Sequence, residues 1–497
     1  MKKVILLLLI FCLAQTGYSQ TKRKLTLDEV ITLAKKNSRS ANSAKASLIF
    51  GYWSYRVFNS RLTPQLSLNG VLPAWNRSLE QIRLPNGSQD FVAINQNNTN
   101  LGLSFTQVIA PTNTTVSLNT FLNRFDDFEL DITQYRSRPF SVSVTQPLFA
   151  VNNFKWDKKI QPKRYEESKR TYAESMETIS RQAAGFFFRL LEEQYNLQIA
   201  LQNESKNDTI NKIEAGRFNI GTTTEDQLLQ TELDLLNAQS AAQQAALDVQ
   251  TLTLDLRNFI GLQDDVEIEL VPPEDIPVLT IDSDRALEYA KEYRSQYLSF
   301  ERQSLEADQS VAEARAQRFQ ANLSADFGLN GQDGTFSGAY GDLANQSIVS
   351  LSFNLPILDG GRNRARMGQA LAQKQVTEFN IELEKVNFEQ EVLTAVRNFD
   401  QIRNQIEISK KGEEIALKRF DITNNRYLIG KVDILTLTNA RNDKDQAIRT
   451  YISSLRQYWE AYYELRSLTL YDFLLNTPLY NPLLEFDPKL DDVVEKN

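Results

Sequence analysis

The sequence has no histidine, and its single cysteine, Cys12, lies among the first twenty residues. These two absences exclude Ser–His–Asp and Cys–His catalysis as well as the common zinc sites. Carboxylates and lysines remain, yet no pair of them stands out as an acid and a base. The formal charge of −8 also argues weakly against a nucleic-acid partner. We therefore expect no catalytic residue, no metal, no cofactor and no nucleic acid, and the protein is not expected to be an enzyme.

Long apolar runs are scarce too. One run, Val4–Leu13, follows two lysines and precedes the small-residue segment Thr16–Gln20. This order is typical of a secretory signal peptide, which we place at residues 1–20. A membrane anchor is the alternative, but the run is too short to span a bilayer. No later run of about 18 apolar residues exists, so a chain that crosses a membrane would have to do so as a closed β-barrel.

What the sequence does contain is a long internal repeat. RFNIG at Arg217 reappears as RYLIG at Arg426, and each copy continues with a polar turn and a helical pattern. The other matched segments are LTLDEVITLAKK with LTIDSDRALEYAKE, RLTPQLSLNG with RFQANLSADFG, and VSVTQPLF with LSFNLPIL. The predicted organisation is a first repeat at residues 21–270, a proline-containing linker at 271–279, a second repeat at 280–470 and a C-terminal tail at 471–497.

Each copy predicts a helix, a strand, a loop, a second strand, a long helix, a tight turn and a return helix. In Phe140–Thr145 apolar residues alternate with serine and threonine, and Leu323–Leu329 and Val349–Leu355 repeat the pattern. A strand with one apolar and one small polar face suits lipid outside and water inside. A soluble sheet with one solvated face would alternate in the same way, so both readings stay open.

The helices are predicted to be unusually long. Lys163–Val271 and Ile357–Thr477 contain no proline, and Pro162 suits the first turn of the first long helix. Helices that run from these starts to the repeated turns would measure roughly 90–100 Å. A coiled-coil seam in the second is formed by Phe388, Val392, Ala395, Phe399, Ile402 and Ile406. The shorter return helices would complete their packing with N-terminal helices at about 28–61 and 283–319.

Between its two strand-like segments, at 71–138, the first copy carries an insertion relative to the second. Asn100–Ile109 and Thr114–Leu122 alternate well enough to be strands, so this insertion could add a hairpin to the sheet. The alternative is an outer loop, which we prefer because Asn and Gln cluster at Asn95–Asn100. Each chain would have four strands, or six with the hairpin. Barrels need at least about eight, so several chains would have to pool their strands.

In their order and duplication these segments resemble the TolC family of outer-membrane efflux and secretion channels. The match covers nearly the whole mature chain, from LTLDEVITLAKKNS through the SVTQPLF and LSFNLPILDGGRNRARMGQA junctions to RFNIG and RYLIG. The resemblance implies a mainly α fold with antiparallel β-strands, in which a long α-helical coiled-coil tunnel continues into a transmembrane β-barrel. Three chains of the family share one such barrel of twelve strands. The helices and the tail at 471–497 would then lie in the periplasm.

The implied function is that of an exit duct in the cell outer membrane, within a tripartite efflux or type I secretion system. The implied partners are two further copies of the chain, a periplasmic adaptor (membrane fusion) protein, an inner-membrane efflux pump or ABC exporter, and outer-membrane lipid. The rival hypothesis is a periplasmic coiled-coil scaffold without a pore, which the alternating strands disfavour.

The two turns, at 217–226 and 426–436, are the predicted gate. By resemblance, such tips are closed at rest and open when the adaptor docks. Family members often have aspartates at the sixth and ninth positions after the second tip glycine, but this chain has Thr436 and Asn439 there. Acidic residues at a helix N-terminus also interact favourably with the helix dipole, and this structural role is the alternative for the acids that follow the two tip glycines. The gate candidates are Glu225, Asp226, Asp433, Thr436 and Asn439.

The same turns are the predicted adaptor contact, because a small apolar tip leaves a groove for another helical hairpin. The tip glycines suit a chain reversal that needs a backbone position free of a Cβ clash. The arginines could tie adjacent hairpins together, or they could serve only as charges at a helix C-terminus. The adaptor-contact candidates are Arg217, Ile220, Gly221, Arg426, Ile429 and Gly430.

Overall fold

The computed structural model describes residues 23–85, 87–262, 268–273, 276–490 and 492–495. The signal peptide predicted at 1–20 lies outside these residues, and so does part of the predicted linker at 271–279. The chain divides into two compact units. The first takes in the described parts of 1–48, 169–295 and 386–497, and the second takes in those of 49–168 and 296–385.

Helices of matched length account for most of the chain. The described residues form α1 (Leu27–Asn37), α2 (Arg39–Ser60), α3 (Asn153–Asn219), α4 (Glu225–Ile260), α5 (Ser283–Tyr293), α6 (Ser295–Ala316), α7 (Arg362–Leu428) and α8 (Ile434–Thr469). Both α3 and α7 contain 67 residues, and both α4 and α8 contain 36. This equality confirms the internal repeat. None of these helices combines the length and the apolarity that a membrane span requires.

Three helix boundaries differ from the sequence expectation. Each N-terminal helix predicted as one piece is two, because Ser38 and Arg294 adopt extended backbone with ψ of 150° and 144°. The first long helix begins at Asn153 rather than at Pro162, which lies inside it. A proline ring removes one backbone hydrogen bond from a helix interior, so the surrounding turns must tolerate that loss.

In the first unit, the short helices pack in the same way in both repeats. A capping box starts α1: Thr26 N–H donates to the Glu29 carboxylate at 2.8 Å, and Glu29 N–H donates to the Thr26 hydroxyl at 3.4 Å. The residues of α1 that are buried recur at helical spacing, and they are Leu27, Val30, Ile31 and Ala34. α1 packs against α4, and its counterpart α5 packs against α8. The repeat therefore extends from sequence to packing.

The core of this unit is a seam of aromatic and branched side chains. On α7, the seam positions Phe388, Val392, Phe399 and Ile406 are buried, as their spacing predicted. The Phe399 ring lies 5.2 Å from the ring of Tyr458 on α8, measured between centroids. Burial of each such side chain stabilises the fold by roughly 1.5–3 kcal/mol.

A compensated group of charges lies inside the same core. Arg466 of α8 contacts Glu177 of α3 at 2.8 Å and Asp472 at 2.9 Å. Lys35 of α1 contacts Glu177 at 2.7 Å, and the Tyr462 hydroxyl donates to Asp472 at 2.7 Å. Because each buried charge has an opposite partner, removal of any one would leave an uncompensated charge.

Short strands complete the first unit. β1 (Arg23–Leu25) pairs in parallel with β7 (Ile268–Leu270). The segment predicted as a tail forms two antiparallel ribbons, β10 (Tyr471–Asp472) with β11 (Thr477–Pro478) and β12 (Leu484–Asp487) with β13 (Asp492–Glu495).

The second unit contains one large antiparallel sheet. Its strands are β2 (Gln65–Val71), β3 (Trp75–Arg83), β4 (Gln89–Ile109), β5 (Thr114–Asp127), β6 (Ile132–Leu148), β8 (Gln320–Asp333) and β9 (Ala344–Asn354). They lie in the order β2-β4-β5-β6-β8-β9, and β3 continues the β2 edge along the first half of β4. The sheet is therefore six strands wide.

The two faces of this sheet differ in chemistry. Exposed residues on the apolar face are Leu66, Leu68, Leu103, Phe105, Leu118, Phe140, Leu323, Phe327, Val349, Leu351 and Phe353. On the polar face, hydrogen bonds cross four strands: Ser104 donates to Asn119 at 2.7 Å, Asn119 to Ser143 at 3.1 Å, and Ser143 to Asp326 at 2.5 Å. The alternation read from the sequence thus separates a mainly apolar face from a mainly polar one, and Ile348, opposite Asp326, is an apolar residue on the polar face.

The insertion at 71–138 does not form the outer loop that we preferred. Its strands β4 and β5 pair side by side along fourteen residues, and they join β2 to β6 within the sheet. The Asn- and Gln-rich stretch lies in β4 and pairs with β3 and β5. Strand pairing satisfies backbone groups whatever the side chains are, so polar composition did not preclude a strand.

Candidate functional site at the two hairpin tips

Both hairpins of the first unit turn with the same backbone. Gly221 and Gly430 have φ of +72° and +71°, the left-handed conformation that glycine adopts without strain. In each turn the glycine N–H donates to the carbonyl of the aromatic residue of the motif, and the next N–H donates to the carbonyl of the arginine, at 2.9–3.0 Å. This pair of backbone hydrogen bonds ends a helix and reverses the chain. It explains why the glycine recurs in both copies of Arg–aromatic–x–Ile–Gly.

The return helices begin with different caps. The Thr224 hydroxyl accepts from the backbone N–H of Gln227 at 3.3 Å, and the Asp433 carboxylate accepts from that of Thr436 at 2.8 Å. Hydrogen bonds from the side chain and then from the backbone N–H of Thr436 hold the pKa of Asp433 below its usual range. Asp433 is therefore the N-cap of α8, a structural role at the helix N-terminus that was the alternative to a gate residue.

The remaining gate candidates lie on the surface. Glu225 and Asp226 are exposed in the first turn of α4, and Thr436 and Asn439 are exposed in the first turns of α8. Among the described residues no cluster of acidic side chains could hold a metal ion. The structure thus does not gather these candidates into one carboxylate site within the chain.

The apolar tip residues are prominent. Ile220 is 75% exposed and Ile429 is 67% exposed, and Arg426 is also exposed. A Cβ atom built on Gly221 or Gly430 would meet nothing within 4 Å. Each tip therefore offers a small apolar surface with open space around it, and an adaptor contact at this surface stays a prediction.

A buried polar contact joins the two hairpins just behind their tips. Arg217 on α3 donates to the Glu214 carboxylate at 2.7 Å, and the Tyr427 hydroxyl on α7 donates to the same oxygen at 3.2 Å. The Arg217 guanidinium also lies 5.8 Å from the centroid of the Tyr427 ring. Burial, and then the Glu214 charge, raises the pKa of Tyr427, so its hydroxyl stays protonated and can donate. We call Glu214, Arg217 and Tyr427 the tip contact.

Further hydrogen bonds join α3 to α8. Arg441 donates to the Asn207 side chain at 2.6 Å, and Asn203 donates to Asp445 at 2.8 Å. A small apolar cluster also lies between the hairpins, and its members are Ile210, Phe420, Tyr427, Val432, Ile434, Leu437 and Ala440. A cavity of about 200 Å³ adjoins the cluster. Residues of both hairpins line this cavity, which is partly open to solvent.

A pair of lysines lies against this cluster. The ammonium of Lys206 lies 4.4 Å from the centroid of the Phe420 ring, and that of Lys444 lies 4.8 Å from it. Burial, followed by the charge of Lys444, lowers the pKa of Lys206. Lys444 is paired with Asp445 at 2.9 Å.

Sequence reasoning identified Arg217 but missed Glu214 and Tyr427. Tyr427 lies inside the RYLIG motif, at the position that Phe218 holds in RFNIG. The exchange of phenylalanine for tyrosine between the copies was therefore the available signal. Tyr427 is 4% exposed and Phe218 is 40% exposed. The hydroxyl therefore occurs in the copy whose aromatic residue is buried against Glu214.

Comparison with known proteins identifies the family. A family model described as outer membrane efflux protein matches residues 30–262 and 293–469, which is most of the chain and both repeats. The chain belongs to the outer membrane efflux protein family. The resemblance to TolC-type proteins, the two-repeat fold and the outer-membrane location are confirmed. Among curated proteins the comparison found no match to this efflux protein.

Solved structures share the fold of the efflux protein at low sequence identity. A membrane protein from Pseudomonas aeruginosa has a TM-score of 0.64 at 16% identity, covering 89% of this chain and 90% of its own. The Campylobacter jejuni CmeC outer membrane channel has 0.64 at 15%, covering 89% and 85%. The open state of the Neisseria gonorrhoeae MtrE outer membrane channel has 0.60 at 15%, covering 89% and 88%.

Proposed function

We propose that this efflux protein is the outer-membrane exit duct of a tripartite efflux or type I secretion system. It acts as a homotrimer that receives substrates from an inner-membrane efflux pump or ABC exporter, with a periplasmic adaptor between them. The observation that carries the proposal is the chemistry of the sheet. One exposed face is apolar, as contact with lipid requires, and the other is a hydrogen-bonded polar surface, as a water-filled lumen requires.

The open edges of the sheet support assembly. β2 lies at one edge and β9 at the other. In lipid, each unpaired backbone N–H or C=O group costs several kcal/mol. Pairing between copies of the chain removes both edges, and a closed ring leaves none. The number of copies, three, is the one that the resemblance to TolC channels implies.

The tips supply the gate and the adaptor contact in this proposal. The tip contact holds the two hairpins of a chain together at rest, and the adjacent cavity gives them room to move. Ile220 and Ile429 are the residues that the adaptor covers. The duct itself does no chemistry, and substrate choice belongs largely to the pump.

Photo-crosslinking in cells tests the adaptor contact. A diazirine amino acid at Ile220 or Ile429 is expected to capture a periplasmic adaptor, identified by mass spectrometry. The matched control is Ile408, an equally exposed isoleucine on α7 that lies away from the turns. Equal capture of the same adaptor from Ile408 would contradict a contact at the tips.

Extraction and mass measurement test the duct itself. The protein should leave the membrane only with detergent, as a trimer, and should conduct ions in a planar bilayer. Release by salt as a monomer with intact secondary structure would contradict the duct and favour the scaffold.

A further inference from the structure

The edges of the sheet are protected unequally. Exposed strand edges in natural proteins are usually guarded by charged residues or proline. β2 (QLSLNGV) and β9 (ANQSIVSLSFN) contain neither. β3 (WNRSLEQIR), which continues the β2 edge, carries Arg77, Glu80 and Arg83. The unguarded parts of the two edges are therefore β2 and β9.

The inserted strands belong to the same apolar surface as the others. Leu66 of β2 pairs with Phe105 of β4, Phe105 with Leu118 of β5, Leu118 with Val142 of β6, and Val142 with Phe327 of β8. This row crosses five strands without a charged residue. A loop outside the membrane would have no reason to continue a lipid-facing row.

We propose that all six strand positions of each chain lie in the membrane wall, so that three copies form a wall of eighteen strands rather than the twelve typical of the family. This inference rests on the proposed trimeric duct. Barrel diameter grows roughly linearly with strand number, and barrels of about 16–18 strands enclose an aqueous channel. The wall of this protein is then about half again as wide as a twelve-stranded one, and the hairpin tips limit passage.

The neighbouring copies join through β9 of one and β2 of the next. β2 and β9 point in opposite directions along the sheet, so they pair antiparallel. Like faces lie opposite each other in registers that differ by two residues, and in the register that we propose Leu66 and Leu68 face Phe353 and Leu351. In that register the polar Ser67 lies opposite Ser352. The charged edge of β3 has no partner strand and remains outside the lipid.

Disulfide trapping tests the junction. In a Cys12→Ala background, which has no other cysteine, Ser67→Cys with Ser352→Cys should form covalent dimers and trimers on oxidation. Directly opposed residues have Cβ atoms about 4.5–5.5 Å apart, near the spacing of a disulfide. β2 and β9 lie at opposite edges of one sheet, so the bond forms between copies.

Two control pairs fix the register and the free edge. Ser67→Cys with Leu351→Cys places the thiols on opposite faces and should not link. Trp75→Cys with Asn345→Cys, which the same register would place opposite each other only if β3 were paired, should also stay unlinked. Linkage through either control pair, with none through Ser67 and Ser352, would overturn the junction. The protein would still be extracted as a conducting trimer, so the proposed function would stand.

Spin labels test whether the inserted strands face lipid. Labels at Phe105→Cys and Leu118→Cys should be as accessible to oxygen, which dissolves in lipid, as a label at Leu351→Cys. A label at Ser117→Cys, next to Leu118 on the polar face, should instead be accessible to a water-soluble nickel chelate. Access of the nickel chelate to Phe105 and Leu118 but not to Leu351 would overturn the eighteen-stranded wall and leave the trimeric duct in place.

Discussion

The two hairpin tips have one backbone and two sets of side chains. Both turn on a left-handed glycine with the same pair of backbone hydrogen bonds. Three residues before the glycine, however, Phe218 is 40% exposed and Tyr427 is buried against Glu214. The cap of the return helix is Thr224 in one tip and Asp433 in the other. The turn needs the same backbone in both copies, whereas the contact between hairpins needs a donor on one and an acceptor on the other.

The largest effect is expected from Glu214→Ala, which breaks the asymmetric contact. The buried Tyr427 hydroxyl and the Arg217 guanidinium lose their shared acceptor, at a cost of up to about 3 kcal/mol per chain. We expect the resting conductance in planar bilayers to rise several-fold. The matched control is Thr423→Ala, seven residues before its turn glycine as Glu214 is before the other. A similar rise in Thr423→Ala would mean that Glu214 has no special role.

The second-largest effect is expected from substitution of the turn glycine, which both tips share. Gly430→Val and Gly221→Val each force a β-branched residue into the left-handed conformation, at about 1–2 kcal/mol. Open space around both positions means that the strain is in the backbone alone. Each variant should change resting conductance or abolish export while trimers still reach the outer membrane.

The control for the glycines is Gly412→Val, in the body of α7. Gly412 has no positive φ, and open space also surrounds it. Its substitution should leave conductance and export close to wild type. If Gly430→Val also matches wild type in both measurements, passage is not controlled at the tip.

A smaller effect is expected from exchange of the aromatic residues. Tyr427→Phe removes one hydrogen bond to Glu214, which is worth about 0.5–1.5 kcal/mol. Hydrogen exchange in the tip peptides should become faster, because local opening becomes easier. Phe218→Tyr adds a hydroxyl at an exposed site and should change exchange little. Equal acceleration in both variants would contradict an asymmetric contact.

The smallest effect is expected from low pH, which should weaken the Asp433 cap of α8 but not the Thr224 cap of α4. The pKa of Asp433 is lowered in the folded state, so its stabilisation is present above the unfolded pKa and is lost as the pH falls through the folded value. Below about pH 4 the start of α8 should therefore lose protection against hydrogen exchange relative to the start of α4, which Thr224 caps. Asp433→Asn keeps a capping oxygen but does not titrate. In this variant the start of α8 should keep its protection as the pH falls below about 4.

Local patterns determined most of what concerns single elements. The repeated motif RFNIG/RYLIG marked both turns, and the alternation of apolar and polar residues separated the two faces of the strands. Four of the six seam positions on α7 are buried, as their spacing predicted. These features follow from backbone geometry and helical or strand period, which act over a few residues. The same patterns did not predict the start of α3 or the helix breaks at Ser38 and Arg294, because helix ends depend on the residues that pack around them.

The sequence by itself determined the two-fold repeat, the turn glycines and the chemistry of the sheet faces. Only the tertiary structure decided that the insertion joins the sheet and that Glu214 meets Tyr427, more than two hundred residues away. Strand pairing uses backbone groups that every residue carries, so an Asn-rich segment could be strand or loop until its neighbours were known. A contact between distant helices likewise depends on how the hairpins pack, and no period along the chain encodes it.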